Sequence, residues 1–161
     1  EALLGEPLEV PAGGPVTVTL REMTRFLLTL DQAADTVFAA VRSGLAGDTY
    51  VPKAPSARVV DIARVLVGGR PIPLVYTGIR PGEKVHEIMV SEEECYRTIE
   101  RDGYYVICPI LPELRQVAIE HPALAGEYSS QQVTLDEAGL RRLLAPYLEA
   151  QPAPVVAQEE G

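Results

Sequence analysis

The sequence predicts an α/β or α+β domain in which helices pack on a small sheet. Short β-branched runs alternate with segments whose apolar residues recur at helical intervals, and turn residues separate the two kinds of segment. The 161 residues suffice for one domain with a core, and the hydrophobic share of 47% is that of a globular protein. We therefore expect one folded domain over residues 16–148.

The two ends of the chain lack such patterns. Residues 1–15 hold glycines and prolines without a clear period, which predicts an irregular lead-in. Residues 149–161 are rich in proline and alanine and end in acidic residues, which predicts a disordered tail.

Four short runs have the composition of strands. Each is rich in β-branched or aromatic residues, and turn residues lie at its ends. Three prolines between residues 108 and 126 predict that this later stretch is mostly loop. The predicted strands cover residues 16–19, 48–51, 73–76 and 104–107.

The first predicted helix has clear start and stop signals. Thr29 and Gln32 have the spacing of a capping box, in which each side chain bonds the backbone of the other residue. Apolar residues then recur at helical intervals over residues 31–41, and Gly44 ends the pattern. We expect an amphipathic helix of about four turns.

Similar signals predict further helices. Prolines and hydroxyl residues mark their starts, and glycine marks the end of one of them. One helix begins at Pro55 and Ser56 and ends at Gly68. Two short helices cover residues 83–89 and residues 95–100, the second behind a capping box at Ser91. The last helix follows a third capping box at Thr134, and Pro146 is expected to distort its end.

The charge and the cysteines exclude several classes of function. A net charge of −9 argues against a nucleic-acid surface, since binding the phosphate backbone needs a basic patch. No run approaches the ~20 apolar residues of a membrane span, so we expect a cytoplasmic protein without membrane contact. Cys95 and Cys108 lack the spacing of a metal site, which favours two small buried side chains over a metal site or disulfide.

The clearest chemical signal lies at a predicted strand-to-helix junction. Arg80, Pro81, Gly82 and Glu83 follow one another directly after an apolar run. A guanidinium suits a phosphate, and a carboxylate accepts hydrogen bonds from hydroxyl groups. The rigid proline and the permissive glycine shape the turn between them. This pattern predicts a nucleotide-binding turn.

Signatures of catalysis and of cofactor binding are not found in the sequence. No GxGxxG turn follows a strand, and neither Lys53 nor Lys84 has a tyrosine four residues before it. Hydrolase and metalloprotease motifs are also missing. His86 could act as an acid or base in isolation, but a packed or capping histidine is favoured. We therefore assign neither a catalytic residue nor a metal ligand.

Several segments, in a fixed order, resemble one family. They are residues 23–26 with the helix after them, 50–56, 78–87, 103–107 and 127–130. Together they are similar to the C-terminal part of the UDP-N-acetylglucosamine 4,6-dehydratases of bacterial polysaccharide biosynthesis, which are extended short-chain dehydrogenase/reductases. The resemblance covers about residues 13–148.

The resemblance implies a division of labour that this chain only partly represents. Members have an N-terminal Rossmann domain that binds NADP and carries a catalytic Tyr/Lys pair, and the C-terminal part binds the UDP-sugar. The fingerprint and the Tyr/Lys pair are missing from this sequence. We therefore expect no cofactor in this chain, and we interpret it as a fragment, a truncated gene product or one part of a split enzyme.

The resemblance also implies roles for three residues. Arg80 matches the arginine that binds the diphosphate, and Glu83 matches the acceptor for the ribose hydroxyls. Arg25 matches a second arginine that reaches the diphosphate. From the residues alone, Arg80 could be a solvated arginine and Glu83 a first-turn glutamate favoured by the helix dipole. Arg25 could form a structural salt bridge, for instance to Glu22 or Asp31.

The predicted function is binding of a UDP-N-acetylhexosamine as the substrate-binding part of a nucleotide-sugar 4,6-dehydratase of surface polysaccharide biosynthesis. The chain is expected to be catalytically incomplete alone. One alternative is a non-catalytic interaction module or truncated remnant, which would expose apolar surface and bind a Rossmann-domain subunit or a second copy. Another alternative is part of a UDP-sugar epimerase.

Overall fold

The computed structural model describes residues 14–116, 118–132 and 134–149. Most of the predicted lead-in and nearly all of the predicted tail lie outside these residues. The described chain alternates short strands and helices, so the predicted mixed α/β class is confirmed.

Short strands and four helices make up the described fold. The longest helices are α1 (Leu30–Ser43), α4 (Glu137–Glu149) and α2 (Val59–Val67), and α3 (Glu92–Cys95) is a single turn. A 3-10 turn covers Pro112–Leu114. The strands are β1 (Val16–Val18), β2 (Thr24–Phe26), β3 (Thr49–Val51), β4 (Ser56–Arg58), β5 (Leu74–Tyr76), β6 (Ile88–Val90), β7 (Thr98–Arg101), β8 (Tyr104–Ile107) and β9 (Tyr128–Ser129).

The strands form several small sheets. β3, β8 and β7 form an antiparallel three-stranded sheet in that order. β2 pairs with β4 and β6 pairs with β9, both antiparallel. β1 and β5 are parallel, with Val16 opposite Leu74 and Val18 opposite Tyr76. Because β1 and β5 are parallel, the residues that follow them lie at the same edge.

Buried apolar side chains form three clusters. One lies between the three-stranded sheet and β6–β9 and includes Val90 and Cys95. A second joins Val18 on β1 to Val60 and Ala63 on α2, so α2 supports the parallel pair. The third joins α2 to α4 through Val65 and Leu140. Both cysteines are free and buried, as predicted.

The first predicted helix is confirmed together with its cap. The Thr29 hydroxyl accepts a hydrogen bond from the Gln32 backbone N–H at 3.2 Å, and the Gln32 side chain accepts from the Thr29 N–H at 3.0 Å. The helix ends at Ser43, and the Gly44 N–H donates to the Ala40 carbonyl at 2.9 Å.

Two helix predictions fail because strand pairing uses the same backbone. Ser56 does not begin a helix, since β4 pairs with β2 and the helix starts at Val59. The predicted helix over 83–89 is also wrong. That segment is a turn followed by irregular backbone and β6, and its carbonyl and N–H groups bond β2 and Ser130.

Two further helix boundaries are corrected. The capping pair at Ser91 is present, but its helix ends at Cys95 because Thr98–Arg101 pairs with β8. Thr134 does not cap the last helix. The Asp136 carboxylate takes that role by accepting from the Gly139 N–H at 2.8 Å, and α4 then continues through Pro146.

Candidate functional site

The candidate site lies where the parallel strands β1 and β5 end. The Thr77 N–H donates to the Val18 carbonyl at 3.0 Å, and the Gly78 N–H donates to the Thr19 carbonyl at 3.1 Å. These bonds extend the pairing past the carboxyl ends of both strands. That edge of a parallel pair is where open α/β sheets place ligands.

The segment after β5 folds into a tight turn over the predicted nucleotide motif. The Glu83 N–H donates to the Arg80 carbonyl at 3.1 Å, and Gly82 has a φ of +85°. Proline at the second position and a positive φ at the third position are the features of a type II turn. Pro81 and Gly82 therefore form a turn and not the start of a helix.

The side chains of Arg80 and Glu83 have different surroundings at this turn. One Glu83 carboxylate oxygen accepts from the Arg80 backbone N–H at 3.0 Å, and the Glu83 side chain is half-buried. Arg80 is exposed, and its guanidinium has no hydrogen bond or ion pair to any other residue that the structure describes. The turn thus presents an uncompensated cation.

Arg25 holds the backbone that follows the turn. Its guanidinium donates to the Thr24 carbonyl at 2.7 Å, to the Lys84 carbonyl at 3.0 Å and to the Val85 carbonyl at 3.3 Å. Its Nε also lies 3.5 Å from the Glu87 carboxylate. The alternative interpretation of Arg25, a structural salt bridge, is therefore present in the structure, with Glu87 as the acidic partner in place of Glu22 or Asp31.

The structure brings the three predicted residues to one segment but gives them different contacts. Arg80 and Glu83 share a turn, and Arg25 reaches the residues immediately after it. The Arg25 guanidinium donates hydrogen bonds to backbone carbonyl groups, whereas the Arg80 guanidinium is exposed to solvent. Arg80 is therefore the better candidate for direct contact with an anion.

A buried polar network beside Arg25 was not predicted. The Thr24 hydroxyl lies 2.8 Å from His86 Nδ1 and 2.6 Å from the Ser130 hydroxyl. The Ser130 hydroxyl accepts from the Glu87 N–H at 2.9 Å, and the Ser130 N–H donates to the Glu87 carbonyl at 2.8 Å. These residues lie up to 106 positions apart in sequence, so no local pattern could have indicated them.

Arg21 adds another guanidinium near the end of β5. It lies 4.3 Å from the centre of the Tyr76 ring, a cation–π arrangement. The parallel pairing of β1 with β5 brings the residues that follow these two strands close together. Arg21 therefore adds positive charge near the candidate site in a chain of net charge −9.

The arginines of a second cleft are each paired with an acidic residue. A cleft between α2 and α4 is lined by Arg58, Arg64 and Arg141. Asp61 lies 2.6 Å from Arg58 and 3.1 Å from Arg64, and Glu137 lies 2.8 Å from Arg141. This pairing makes the cleft a weaker anion site than the turn at Arg80.

The glycine-rich turn of a dinucleotide site is not found at the starts of the three longest described helices. A Rossmann site needs a glycine-rich turn that lets the phosphates approach the N-terminus of a helix. The residues that precede α1, α2 and α4 are Thr29, Arg58 and Asp136, and none is glycine.

No helix in the described part of the chain has the length and apolar composition needed to cross a membrane.

Known proteins are similar in sequence to part of this chain. A UDP-N-acetylglucosamine 4,6-dehydratase (inverting) of Campylobacter jejuni is 36% identical over 95 residues, which cover 59% of this chain and 27% of that protein. A UDP-glucose 4-epimerase of Rickettsia akari is 34% identical over 101 residues, or 62% and 30% of the two chains. A protein of Methanocaldococcus jannaschii described as an uncharacterized membrane protein is 34% identical over 110 residues, or 63% and 33%. The chain thus spans at most a third of the length of these curated relatives.

A solved structure and a family profile agree with these relatives. The X-ray structure of Pen from Bacillus thuringiensis superimposes with a TM-score of 0.71 at 28% identity, covering 82% of this chain and 41% of that one. The profile of the family described as "Polysaccharide biosynthesis protein" matches residues 8–109, which is more than half of the chain. The predicted resemblance is confirmed, and the chain belongs to the polysaccharide biosynthesis protein family.

Proposed function

We propose that this chain binds a UDP-N-acetylhexosamine as the substrate-binding part of a nucleotide-sugar dehydratase. Arg80 would contact the diphosphate and Glu83 the ribose hydroxyls, while Arg25 would support the turn that carries them. No cofactor is assigned to this chain, and NADP is expected to belong to the Rossmann domain of full-length members. Catalysis is likewise assigned to that domain.

One observation carries this proposal. The Arg80 guanidinium is exposed and unpaired within the described chain, on a turn held at the end of a parallel strand pair. Keeping an arginine unpaired and immobilising the backbone beneath it lowers the entropic cost of binding an anion there. Relatives with dehydratase and with epimerase names match 59% and 62% of this chain, so these names support a UDP-sugar and leave the reaction type open.

Calorimetric titration tests the site. UDP-N-acetylglucosamine is added to the wild-type chain, to Arg80→Ala and to Arg42→Ala. Arg42 is another exposed arginine, on α1, so its removal changes the net charge equally. A charge-assisted hydrogen bond contributes about 1.5–3 kcal/mol, so Arg80→Ala should weaken binding about tenfold or more. Arg42→Ala should bind as wild type does.

Two results would contradict the assignment. Equal affinities for wild type and Arg80→Ala would remove Arg80 from the site. Equal affinities for UDP and for UDP-N-acetylglucosamine would support a nucleotide site but not recognition of the sugar by this chain. Titration with UDP-glucose separates the dehydratase proposal from the epimerase alternative, since the relatives are named for different sugars.

A second candidate function, association with another chain, is favoured by the surface of α1. Leu30, Val37, Phe38 and Val41 are 67%, 62%, 65% and 81% exposed, and their spacing places them on one face of the helix. Such a contiguous apolar face marks an interaction surface.

The charges on α1 favour a second copy of this chain as the occupant. Asp31 lies in the first turn and Arg42 in the last, and both are exposed. An antiparallel pair of α1 helices would therefore place each aspartate near the partner's arginine. Light scattering of wild type and Val41→Asp tests this. Self-association that the aspartate abolishes supports the candidate, and a wild-type monomer at high concentration contradicts it.

A further inference from the structure

Several hydrogen bonds hold the backbone that follows the Arg80–Glu83 turn. The Thr24 N–H donates to the Val85 carbonyl at 3.0 Å, and the Arg25 guanidinium donates to the Lys84 and Val85 carbonyls. Residues 84–87 are not helical, so these bonds replace the helical bonds that the segment does not make.

Three side-chain polar groups complete the attachment. Thr24 is 3% exposed and Ser130 is fully buried, so their hydroxyl groups have no access to bulk water. Thr24 lies between His86 Nδ1 and the Ser130 hydroxyl at 2.8 and 2.6 Å. Ser130 in turn accepts the Glu87 N–H at 2.9 Å. We call the Thr24, His86 and Ser130 side chains the hydroxyl relay.

The donors and acceptors of the relay balance in one arrangement. Ser130 accepts from Glu87, so its own proton is free to be donated to Thr24. Thr24 then donates to His86 Nδ1, which must be the unprotonated ring nitrogen. In the reverse direction Ser130 accepts twice, and its buried proton has no further acceptor among the described residues. An unsatisfied buried donor is costly, so the first arrangement is favoured.

We infer that Thr24 and His86 are positioning residues for the Arg80–Glu83 turn. This inference rests on the proposed nucleotide function of that turn. The relay holds Glu87, and Arg25 holds Lys84 and Val85, so the segment leaving the turn is fixed. The segment entering it is fixed by the Thr77 and Gly78 bonds to the residues that end β1 and follow it. Without the relay, the segment leaving the turn would keep the Arg25 bonds to Lys84 and Val85 but would be held less firmly at Glu87.

A segment that is held less firmly lowers affinity without removing any ligand contact. Arg80 would sample more orientations, and binding would have to restrict them again. The relay therefore affects nucleotide binding through the backbone of the turn. This distinguishes it from Arg80 and Glu83, which would touch the ligand themselves.

Matched variants distinguish the effect of the Thr24 hydroxyl group from the effect of the volume of its side chain. Thr24→Val keeps the volume and removes the hydroxyl group, whereas Thr24→Ser keeps the hydroxyl group. His86→Leu removes the acceptor, whereas His86→Asn can place a carbonyl oxygen where Nδ1 lies. Thr98→Val is the control, because Thr98 is also fully buried and its hydroxyl donates to the Glu94 carbonyl at 2.8 Å in another sheet.

Two measurements are made on the full 161-residue chain. Amide hydrogen exchange at Glu87 reports the relay, because its N–H donates to Ser130, and exchange at Glu83 reports the turn. Titration with UDP reports affinity. Thr24→Val and His86→Leu should speed exchange at both amides and weaken UDP binding about three- to tenfold, the equivalent of one neutral hydrogen bond. Thr24→Ser and His86→Asn should restore both values.

The inference is overturned if Thr24→Val and His86→Leu alter exchange at Glu83 no more than Thr98→Val does. It is also overturned if the serine and asparagine variants fail to restore exchange while remaining folded. Exchange is measured without ligand, so this failure is distinct from failure of the proposed function. The latter appears as equal UDP affinities for wild type and Arg80→Ala.

Discussion

The carboxylate of Glu83 accepts a hydrogen bond from the backbone N–H of Arg80 at 3.0 Å. The same two residues also share a backbone bond in the opposite direction, from the Glu83 N–H to the Arg80 carbonyl at 3.1 Å. Glu83 therefore has a structural task in the absence of any ligand. One of its carboxylate oxygens remains for a ribose hydroxyl, so the structural and proposed binding roles are compatible.

Two substitutions at Glu83 separate these roles. Glu83→Gln keeps an oxygen that can accept from Arg80, so the turn should persist while affinity for UDP falls about three- to tenfold. Glu83→Ala removes the bond to Arg80 as well, and should also lower the free energy of unfolding by about 1 kcal/mol. Urea denaturation and UDP titration measure the two effects. Identical stability of the two variants would show that the side-chain bond does not support the turn.

Gly82 allows the turn to form. Its φ of +85° is unfavourable for residues with a side chain, although no other atom lies within 4 Å of an added Cβ. Gly82→Ala should therefore destabilise through backbone strain alone, by about 1–2 kcal/mol. Gly82→Asn should cost less, because asparagine tolerates this conformation.

Gly69→Ala is the control for Gly82, because the added Cβ at Gly69 also meets no neighbour and its φ is not in the positive region. Thermal unfolding compares the three variants. Equal melting temperatures for Gly82→Ala and Gly69→Ala would mean that the turn relaxes without strain. In that case Arg80 would not be held as described.

Local sequence patterns led to correct predictions where the hydrogen bonds themselves join residues close together in the chain. The capping pair Thr29 and Gln32 and the ending at Gly44 are contacts within one helix, and both are present. The pair Ser91 and Glu94 is present for the same reason. Helix propensity failed at residues 56–58 and 83–89, where β2 and Ser130 bond the backbone from distant positions.

The candidate site shows the same limit. The motif identified Arg80 and Glu83 because their spacing within a turn is a local property. The role of Arg25 depends on Val85, which is 60 positions away, and the relay depends on Ser130, which is 106 positions from Thr24. Patterns in a single sequence carry no information about such pairings, so the contacts of Arg25 and of the hydroxyl relay could be identified only from the structure.

A buried ion pair joins α1, β3 and the end of β7. The Arg101 guanidinium donates to the Asp48 carboxylate, which is 3% exposed, and to the Ser43 carbonyl at 3.2 Å. Arg101→Met would leave that carboxylate buried without its cation, so it should lower the free energy of unfolding by about 3 kcal/mol. Asp48→Asn combined with Arg101→Met should cost less than the sum of the two single changes.

Urea denaturation of the two single variants and the double variant measures this coupling. Additive losses would show that Asp48 and Arg101 act independently. The substitutions at Asp48 and Arg101 should also leave the UDP affinity of the folded protein unchanged, because the ion pair lies outside the turn and its supporting segment.

Glu94 should make part of the stability depend on pH. The Ser91 backbone N–H bonds its carboxylate at 3.1 Å, and the Ser91 hydroxyl and Arg97 add to this. The Ser91 N–H is the largest influence, and despite the opposing effect of burial the pKa of Glu94 is lowered from its ordinary value. The unfolded chain therefore binds this proton more readily than the folded chain does. The contribution of Glu94 is fully present above the unfolded pKa, about 4.3, and is lost as pH falls through the lower folded pKa.

Glu94→Gln tests this sign, because glutamine can still accept from Ser91 but carries no charge. Wild type should be more stable than the variant at pH 7, and the difference should shrink steadily below about pH 4.3. Urea denaturation at several pH values measures it. Glu93→Gln is the control, since it removes the same charge from the same helical turn without breaking a contact to any described residue. A difference between wild type and Glu94→Gln that grows on acidification would contradict the assignment, because it would require the folded state to raise the pKa of Glu94.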